Sequence, residues 1–299
     1  MITRRRFSMT VLAGAIAGFA SQAFGVAVSA REHAARHGAL EKQLAAIEAQ
    51  TGGRLGVAML DTASGRAQGW RMHERFPMCS TFKLLLASAV LTRKDHGGED
   101  LARKIVYSHA QVVSYSPVSG PRAGGEGMTV AELCEAALTR SDNTAANLLL
   151  ESIGGPAAVT AFARSIGDPV TRLDRNETTL NEAIAGDPRD TTTPAAMLAD
   201  MRELLVGERL SAASREQLIA WLVANQTGDA RLRAGLPKDW RTGDKTGTGD
   251  HGTANDIAIV WPVGRAPILV ATYLTGATRA SPAQRDGAIA KVGAVVATI

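Results

Sequence analysis

The chain is poor in the residues that mark several protein classes. It has two cysteines and three tyrosines in 299 residues, and aromatics make up only 4%. Two cysteines, Cys79 and Cys134, are too few for a disulfide-built scaffold. With six scattered histidines they form no HxH, HExxH or paired-cysteine pattern, so no metal and no other cofactor is expected. No apolar run reaches the ~20 residues that a membrane-crossing helix needs. No Lys/Arg cluster is interleaved with aromatics, which argues against nucleic-acid binding. No internal repeat is visible either. What remains, 45% hydrophobic and 21% charged residues, suits a globular protein of one large or two interleaved domains.

The formal charge of +4 owes much to the N-terminus. Arg4, Arg5 and Arg6 stand in a stretch of 30 residues without an acid, and the rest of the chain carries 30 basic against 29 acidic residues. Thr3-Arg4-Arg5-Arg6-Phe7, followed by apolar Met9 to Ala20, reads as a twin-arginine export signal. Small-residue cleavage sites lie at Ser21-Gln22-Ala23 and Val28-Ser29-Ala30. Residues 1–30 are therefore expected to be a signal peptide, and the mature protein to be periplasmic or secreted with no membrane attachment. A monomer is expected, because no strong apolar patch can be read.

Hydrophobic periodicity organises the remainder. Residues 32–50 read as a helix with Leu40, Leu44 and Ile47 near one face. Arg54 to Asp61 reads as a strand, turning through Thr62-Ala63-Ser64-Gly65 into a second strand that ends near Arg71. From Thr81 to about Arg93 the chain is apolar almost all round, as in a helix buried on every side. Helical signals then dominate to about 224, with helices at 143–152, 156–166, 194–206 and 214–224. Thr129-x-x-Glu132 is a capping box, and Thr193-Pro194 suits a helix start. A polar stretch without period, 168–193, is long enough to suggest function. Strands return at 241–247, 253–262 and 267–275, and Ser281-Pro282 opens a last helix. The expected fold is α/β: an antiparallel sheet flanked by helices, built from 31–71 and 225–299, with an all-α domain, 72–224, inserted and the active site between them.

Four short blocks carry the chemistry. Ser80-Thr81-Phe82-Lys83 puts a hydroxyl and an amine one helical turn apart. A serine needs an adjacent base to attack, and a desolvated lysine loses part of its preference for the charged form. Alone, the pattern also fits an N-cap serine and a surface lysine, but here the lysine leads into an apolar helix. Ser141-Asp142-Asn143 is an N-cap and turn signal that also offers a proton-relaying hydroxyl and a carboxamide. Asn147 follows one turn on as support. Glu177 and Asn181, four apart in the long loop, can share one water, and Arg175 and Asp190 can staple that loop. Lys245-Thr246-Gly247 lies on a strand. Its lysine, with the hydroxyls of Thr246 and Thr248, can grip an anion, and its glycine admits close approach.

Ser-x-x-Lys, Ser-Asp-Asn, a deacylating Glu and Lys-Thr-Gly are the signature of class A β-lactamases and penicillin-binding proteins. The chain resembles a class A serine β-lactamase over roughly 35–298, with the blocks in family order at intervals of 61, 36 and 68 residues. Tyr115-Ser116-Pro117-Val118, Gly127-Met128-Thr129-Val130 and Arg189-Asp190-Thr191-Thr192 match as well. The resemblance implies a small-molecule partner, a penicillin or cephalosporin. It implies that Ser80 carries the acyl group, that Lys83 or Glu177 is its base, and that Ser141 protonates the leaving nitrogen. Glu177 and Asn181 would hold the deacylating water. The backbone N–H groups of Ser80 and Thr248 would form an oxyanion hole, Asn143 would bind the substrate's side-chain amide, and Tyr115 would wall the cleft.

Three departures from the family pattern stand out. Ala254 takes the place of an arginine that many members use to bind the substrate carboxylate, and Arg231 resembles an alternative anchor. The position that would pair with Cys134 is Ala87, and the position that pairs with Cys79 in some carbapenem-hydrolysing members is Gly249. Two free thiols are expected. Thr248-Gly249-Asp250 suggests room for bulky oxyimino side chains. A penicillin-binding D,D-peptidase and a covalent β-lactam sensor remain alternatives, both disfavoured by the Glu177/Asn181 pair.

Overall fold

The computed structural model describes residues 38–299, so the expected signal segment, 1–30, lies outside the described residues. Residues 43–299 form one unit in which an antiparallel five-stranded sheet has the order β2-β1-β9-β8-β7. The strands β1 (Arg54–Asp61) and β2 (Arg66–Trp70) are joined by the predicted turn, where Gly65 takes φ +68° and donates its N–H to Asp61 O. The strands β7 (Arg241–Gly249), β8 (Thr253–Trp261) and β9 (Ile268–Thr275) complete the sheet from the other end of the chain. Every residue from Leu55 to Leu60 is buried, so neither face of β1 meets water. The period-2 rule fails there because helices cover both faces. Helices α6 (Pro194–Leu205) and α9 (Pro282–Val296) supply part of that cover.

The predicted helices form close to their expected bounds. Helix α1 runs over 38–51, the part 32–37 of the expected 32–50 helix lying outside the described residues, and α2 (Phe82–Asp95) is buried continuously from Phe82 to Leu91. The next four in chain order are α3 (Val130–Thr139), α4 (Asn143–Ile153), α5 (Pro156–Ser165) and, beyond α6, α7 (Ala212–Val223). The one-turn α8 (Leu232–Gly235) precedes β7. Thr129 closes its capping box with Glu132, and Thr193 and Ser281 accept bonds from the first-turn N–H groups of Ala196 and Gln284.

One expectation needs correction. Residues 97–127 are largely irregular rather than helical: they hold the short strand β4 (Lys104–Ile105), paired with β5 (Met128–Thr129), and single 3₁₀ turns. Glycines at 97, 98, 120, 124, 125 and 127 and prolines at 117 and 121 interrupt any helix there. A second small ladder matters for the site. Strand β3 (Phe76–Pro77) pairs with β6 (Thr191–Thr192), which ties the end of the 168–193 loop to the segment that leads into Ser80.

Candidate active site

Ser80 sits in a 3₁₀ turn, Cys79–Thr81, that runs directly into α2. Lys83, on the first turn of α2, donates from Nζ to Ser80 Oγ at 3.0 Å, Ser141 O at 2.9 Å and Asn143 Oδ1 at 2.7 Å. Its Nζ also stands 2.9 Å from Glu177 Oε1. The side chains of Lys83 and Glu177 are both completely buried. Burial pushes the Lys83 amine below the ordinary lysine range, with the charge of Glu177 pulling the other way. Ser80 Oγ in turn donates to Glu177 Oε1 at 3.3 Å. One hydroxyl therefore touches two bases.

Glu177 is fixed from three directions. Its backbone N–H donates to Asn147 Oδ1 and its carbonyl accepts from Asn147 Nδ2, both at 2.9 Å. Its Oε2 accepts from Asn181 Nδ2 at 2.6 Å. The loop that carries these residues is closed by Arg175, whose guanidinium holds Asp190 at 2.6 Å and Glu182 at 2.5 Å. The predicted staple is thus present, with a second carboxylate in it.

The opposite wall comes from the turn before α4 and from β7. Asp142 caps α4 through Ala145 N and also accepts from Val118 N, Ser119 N and Ser119 Oγ, which anchors the 115–119 segment. Ser141 Oγ accepts from Lys245 Nζ at 3.0 Å. Lys245 has no exposed surface. Burial first, and then the charge of Lys83, pushes its pKa well below the ordinary lysine value. Strand β7 lies at the sheet edge, so its outer side is not committed to a neighbouring strand. A Cβ on Gly247 would lie 2.8 Å from Met78 O, which explains the need for glycine where the nucleophile turn crosses the strand.

They frame one cavity of about 510 Å³, lined by Ser80, Tyr115, Ser141, Asn143, Asn181, Gln226, Thr227, Arg231, Thr246 and Thr248. A larger cavity, about 600 Å³, runs along residues 183–188 and the start of β1 and holds none of the predicted residues. Lys83, Glu177, Lys245 and Gly247 do not line the reactive cleft; they form its supporting layer. Arg231, 9% exposed, donates to Gly247 O and Asn255 O at 2.7 Å, to Thr248 Oγ1 at 2.8 Å and to Asp286 at 2.8 Å. It reaches the cleft mainly through Thr248. Tyr115 is 62% exposed at the rim.

Sequence reasoning missed several supports. Thr227 Oγ1 lies 2.5 Å from Thr246 Oγ1, and Asn255 Nδ2 donates to Pro77 O and Met78 O, which moors the nucleophile turn to β8. Cys79, Tyr115 and Ser141 all take left-handed φ, at +45°, +60° and +55°. Non-glycine residues in that region are uncommon, and such strain clusters at functional sites. Both cysteines are free and buried. A Cβ at Gly249 would lie 2.6 Å from Cys79 Sγ and 2.7 Å from Asn181 O, so glycine there lets β7 close on the 168–193 loop.

Comparison with known proteins agrees with this geometry. The Beta-lactamase enzyme family matches residues 39–298. Beta-lactamase CTX-M-8 of Citrobacter amalonaticus is 49% identical over 247 residues, which is 83% of this chain and 84% of that one. Beta-lactamase Toho-1 of Escherichia coli is 48% identical over 252 residues, 84% of this chain and 86% of its own. The solved structure of an ancestral (GNCA) class A beta-lactamase is 66% identical and superposes with a TM-score of 0.85, covering 87% of this chain and 99% of that one. With a serine, two buried lysines and a loop glutamate gathered at one cleft, the chain belongs to the beta-lactamase enzyme family and is a class A serine β-lactamase.

Proposed function

We propose that Ser80 is the nucleophile, that Lys83 and Glu177 are its bases, and that Glu177 with Asn181 holds the water that completes hydrolysis. The observation that carries this reading is the contact of Ser80 Oγ with both Lys83 Nζ at 3.0 Å and Glu177 Oε1 at 3.3 Å. In acylation, Oγ attacks the lactam carbonyl and its proton passes to this base pair. The carbon–nitrogen bond breaks, the leaving nitrogen takes the Ser141 hydroxyl proton, and the proton drawn from Ser80 passes on through Lys83 to restore the Ser141 hydroxyl. Lys245, 3.0 Å from Ser141 Oγ, supplies the electrostatic support for that transfer. In deacylation, a water on Glu177 and Asn181 gives its proton to Glu177 as it attacks the ester carbonyl, the bond from that carbon to Ser80 Oγ breaks, and Glu177 passes the proton to Oγ, which restores the serine hydroxyl and the carboxylate.

The remaining roles belong to the same proposal. The backbone N–H groups of Ser80 and Thr248 form the oxyanion hole, where losing one donor typically costs ~10²–10³ in rate. Asn143 spends its Oδ1 on Lys83 and one Nδ2 proton on Ser114 O, which leaves one amide N–H for a substrate carbonyl. Thr246 and Thr248, backed by Lys245 and Arg231, receive the substrate carboxylate, and Tyr115 walls the cleft. A chromogenic cephalosporin tests the whole scheme. Many turnovers per enzyme are expected; a single stoichiometric burst would favour a peptidase or a sensor.

The broader organisation belongs to the same proposal. The sheet domain is 31–71 with 225–299, and 72–224 is the helical insertion. The chain acts as a monomer in the periplasm or outside the cell after twin-arginine export. The twin-arginine sequence supports that route, and among the described residues no helix is long and apolar enough to cross a membrane. Replacing Arg4 and Arg5 by Lys should abolish export; undiminished export of that variant would refute it.

A further inference from the structure

A buried pair of carboxyl groups lies beneath the neck of the 168–193 loop, outside the cleft. Asp168 is the first residue of that loop. Its Oδ1 accepts from Val170 N at 2.6 Å and Thr171 N at 3.1 Å, and its Oδ2 accepts from Thr171 N at 3.2 Å. Its carbonyl accepts from Arg164 Nη1 at 2.5 Å. The two ends of the loop cross at this point. Thr171 Oγ1 meets Thr192 Oγ1 at 2.7 Å, and Arg75 Nη1 bridges Val170 O and Thr191 Oγ1, each at 3.0 Å.

Asp200 projects from α6 into the same region. It is 1% exposed, and its buried Oδ2 meets no donor. Asp168 is within hydrogen-bonding reach of it. The titratable and charged groups that face Asp200 are Asp168 on the loop, Arg164 on α5, Glu203 further along α6 and Tyr273 on β9. Two adjacent carboxylates so poorly hydrated do not both ionise. We propose that Asp200 keeps its proton, donates it to the Asp168 carboxylate, and so acts as a positioning residue for the loop that carries Glu177 and Asn181. The catalytic consequence rests on the roles assigned above to Glu177 and Asn181; the shared proton does not.

The pH dependence follows from the direction of the shift. Burial first, and then the charge of Asp168, pushes the Asp200 carboxyl up from 3.8 to about 9. Folding therefore takes up a proton between about pH 4 and about pH 9, and this group costs more stability as pH rises through that window. Above it the folded pair ionises, the two carboxylates repel, and the neck loosens. The variant Asp200→Asn keeps the shape and offers an amide N–H where the acid proton stood.

Urea unfolding of the wild type and Asp200→Asn at about pH 5 and about pH 9 reads the shared proton directly. The folded-to-unfolded ratio of the wild type should fall relative to the variant by about tenfold per pH unit between them. Parallel stability curves would overturn the proposal. In a second arm, mass spectrometry follows the acylated fraction during penicillin turnover, each protein normalised to its own value at about pH 7. That fraction should climb for the wild type above about pH 9 and stay level for Asp200→Asn. Coincident curves would overturn the positioning role. Failure of a Glu177→Ala variant to trap acyl-enzyme would instead count against the roles assigned to Glu177 and Asn181, and would leave the stability arm standing.

Discussion

Replacing Arg231 by Ala probes the proposed anchor for the substrate carboxylate. The guanidinium supports Thr248 Oγ1 at 2.8 Å and also holds the carbonyls of Gly247 and Asn255 at 2.7 Å. The substrate carboxylate is proposed to bind the hydroxyls of Thr246 and Thr248, so Arg231 acts on it largely through a donated hydrogen bond. A hydrogen bond to a charged group contributes about 1.5–3 kcal/mol net. At about 1.4 kcal/mol per tenfold, the variant should lose roughly 10- to 100-fold in kcat/KM for a penicillin. Most of the loss should appear in KM, because the contact exists before the transition state. The same penicillin esterified at its carboxylate is the control, and its already weaker hydrolysis should fall far less. A thermal melt shows whether the two freed carbonyls, each costing about 1–3 kcal/mol if left unpaired, have unfolded the protein. A folded Arg231→Ala enzyme with unchanged KM and kcat for the penicillin would refute the anchoring role.

Two further predictions use the buried groups around Ser80 and Ser141. Burial holds the Lys245 pKa below its unfolded value, so the folded state binds fewer protons and stability rises with pH toward about 10.5. Lys245→Met should therefore melt above the wild type near about pH 6 by a margin that shrinks toward about pH 10, while turnover collapses. A margin that stays flat or grows with pH would contradict that sign. Gly249→Cys should form a disulfide with Cys79 under oxidising conditions once β7 and the 168–193 loop part enough to relieve a Cβ that would lie 2.6 Å from Cys79 Sγ and 2.7 Å from Asn181 O. Thiol titration of the unfolded, unreduced variant should then find only Cys134 reactive; three reactive thiols would show that the two sulfurs do not meet.

Much of this molecule is legible in its sequence, for identifiable reasons. The buried helix α2 shows because it is apolar on all sides, and the helix starts show because Thr129, Thr193 and Ser281 are chemically suited to cap them. Ser80 and Lys83 can be paired by spacing alone, since three residues make nearly one helical turn. The link between Lys245 and Ser141 cannot, because it joins residues 104 positions apart. Nor does a strand lysine announce that it is fully buried; that follows only when the turn before α4 folds over β7. The left-handed φ of Cys79, Tyr115 and Ser141 is invisible for a similar reason. None of the three is glycine, and tertiary contacts impose the conformation. The role of Gly249 is not legible either, because a missing side chain looks the same whether it leaves a gap or admits a neighbour. Residues 97–127 are hard to read, because glycines and prolines interrupt them and their apolar residues follow no period.

The most direct test of the central claim is mass spectrometry of Glu177→Ala after mixing with a penicillin. The variant keeps Ser80, Lys83, Ser141 and Lys245 but loses the carboxylate that holds the hydrolytic water. It should acquire one penicillin mass on the Ser80 peptide and retain it long after the wild type has returned to its free mass. A Glu177→Ala enzyme that turns over without accumulating that adduct would contradict the account, because some other group would then be activating the water.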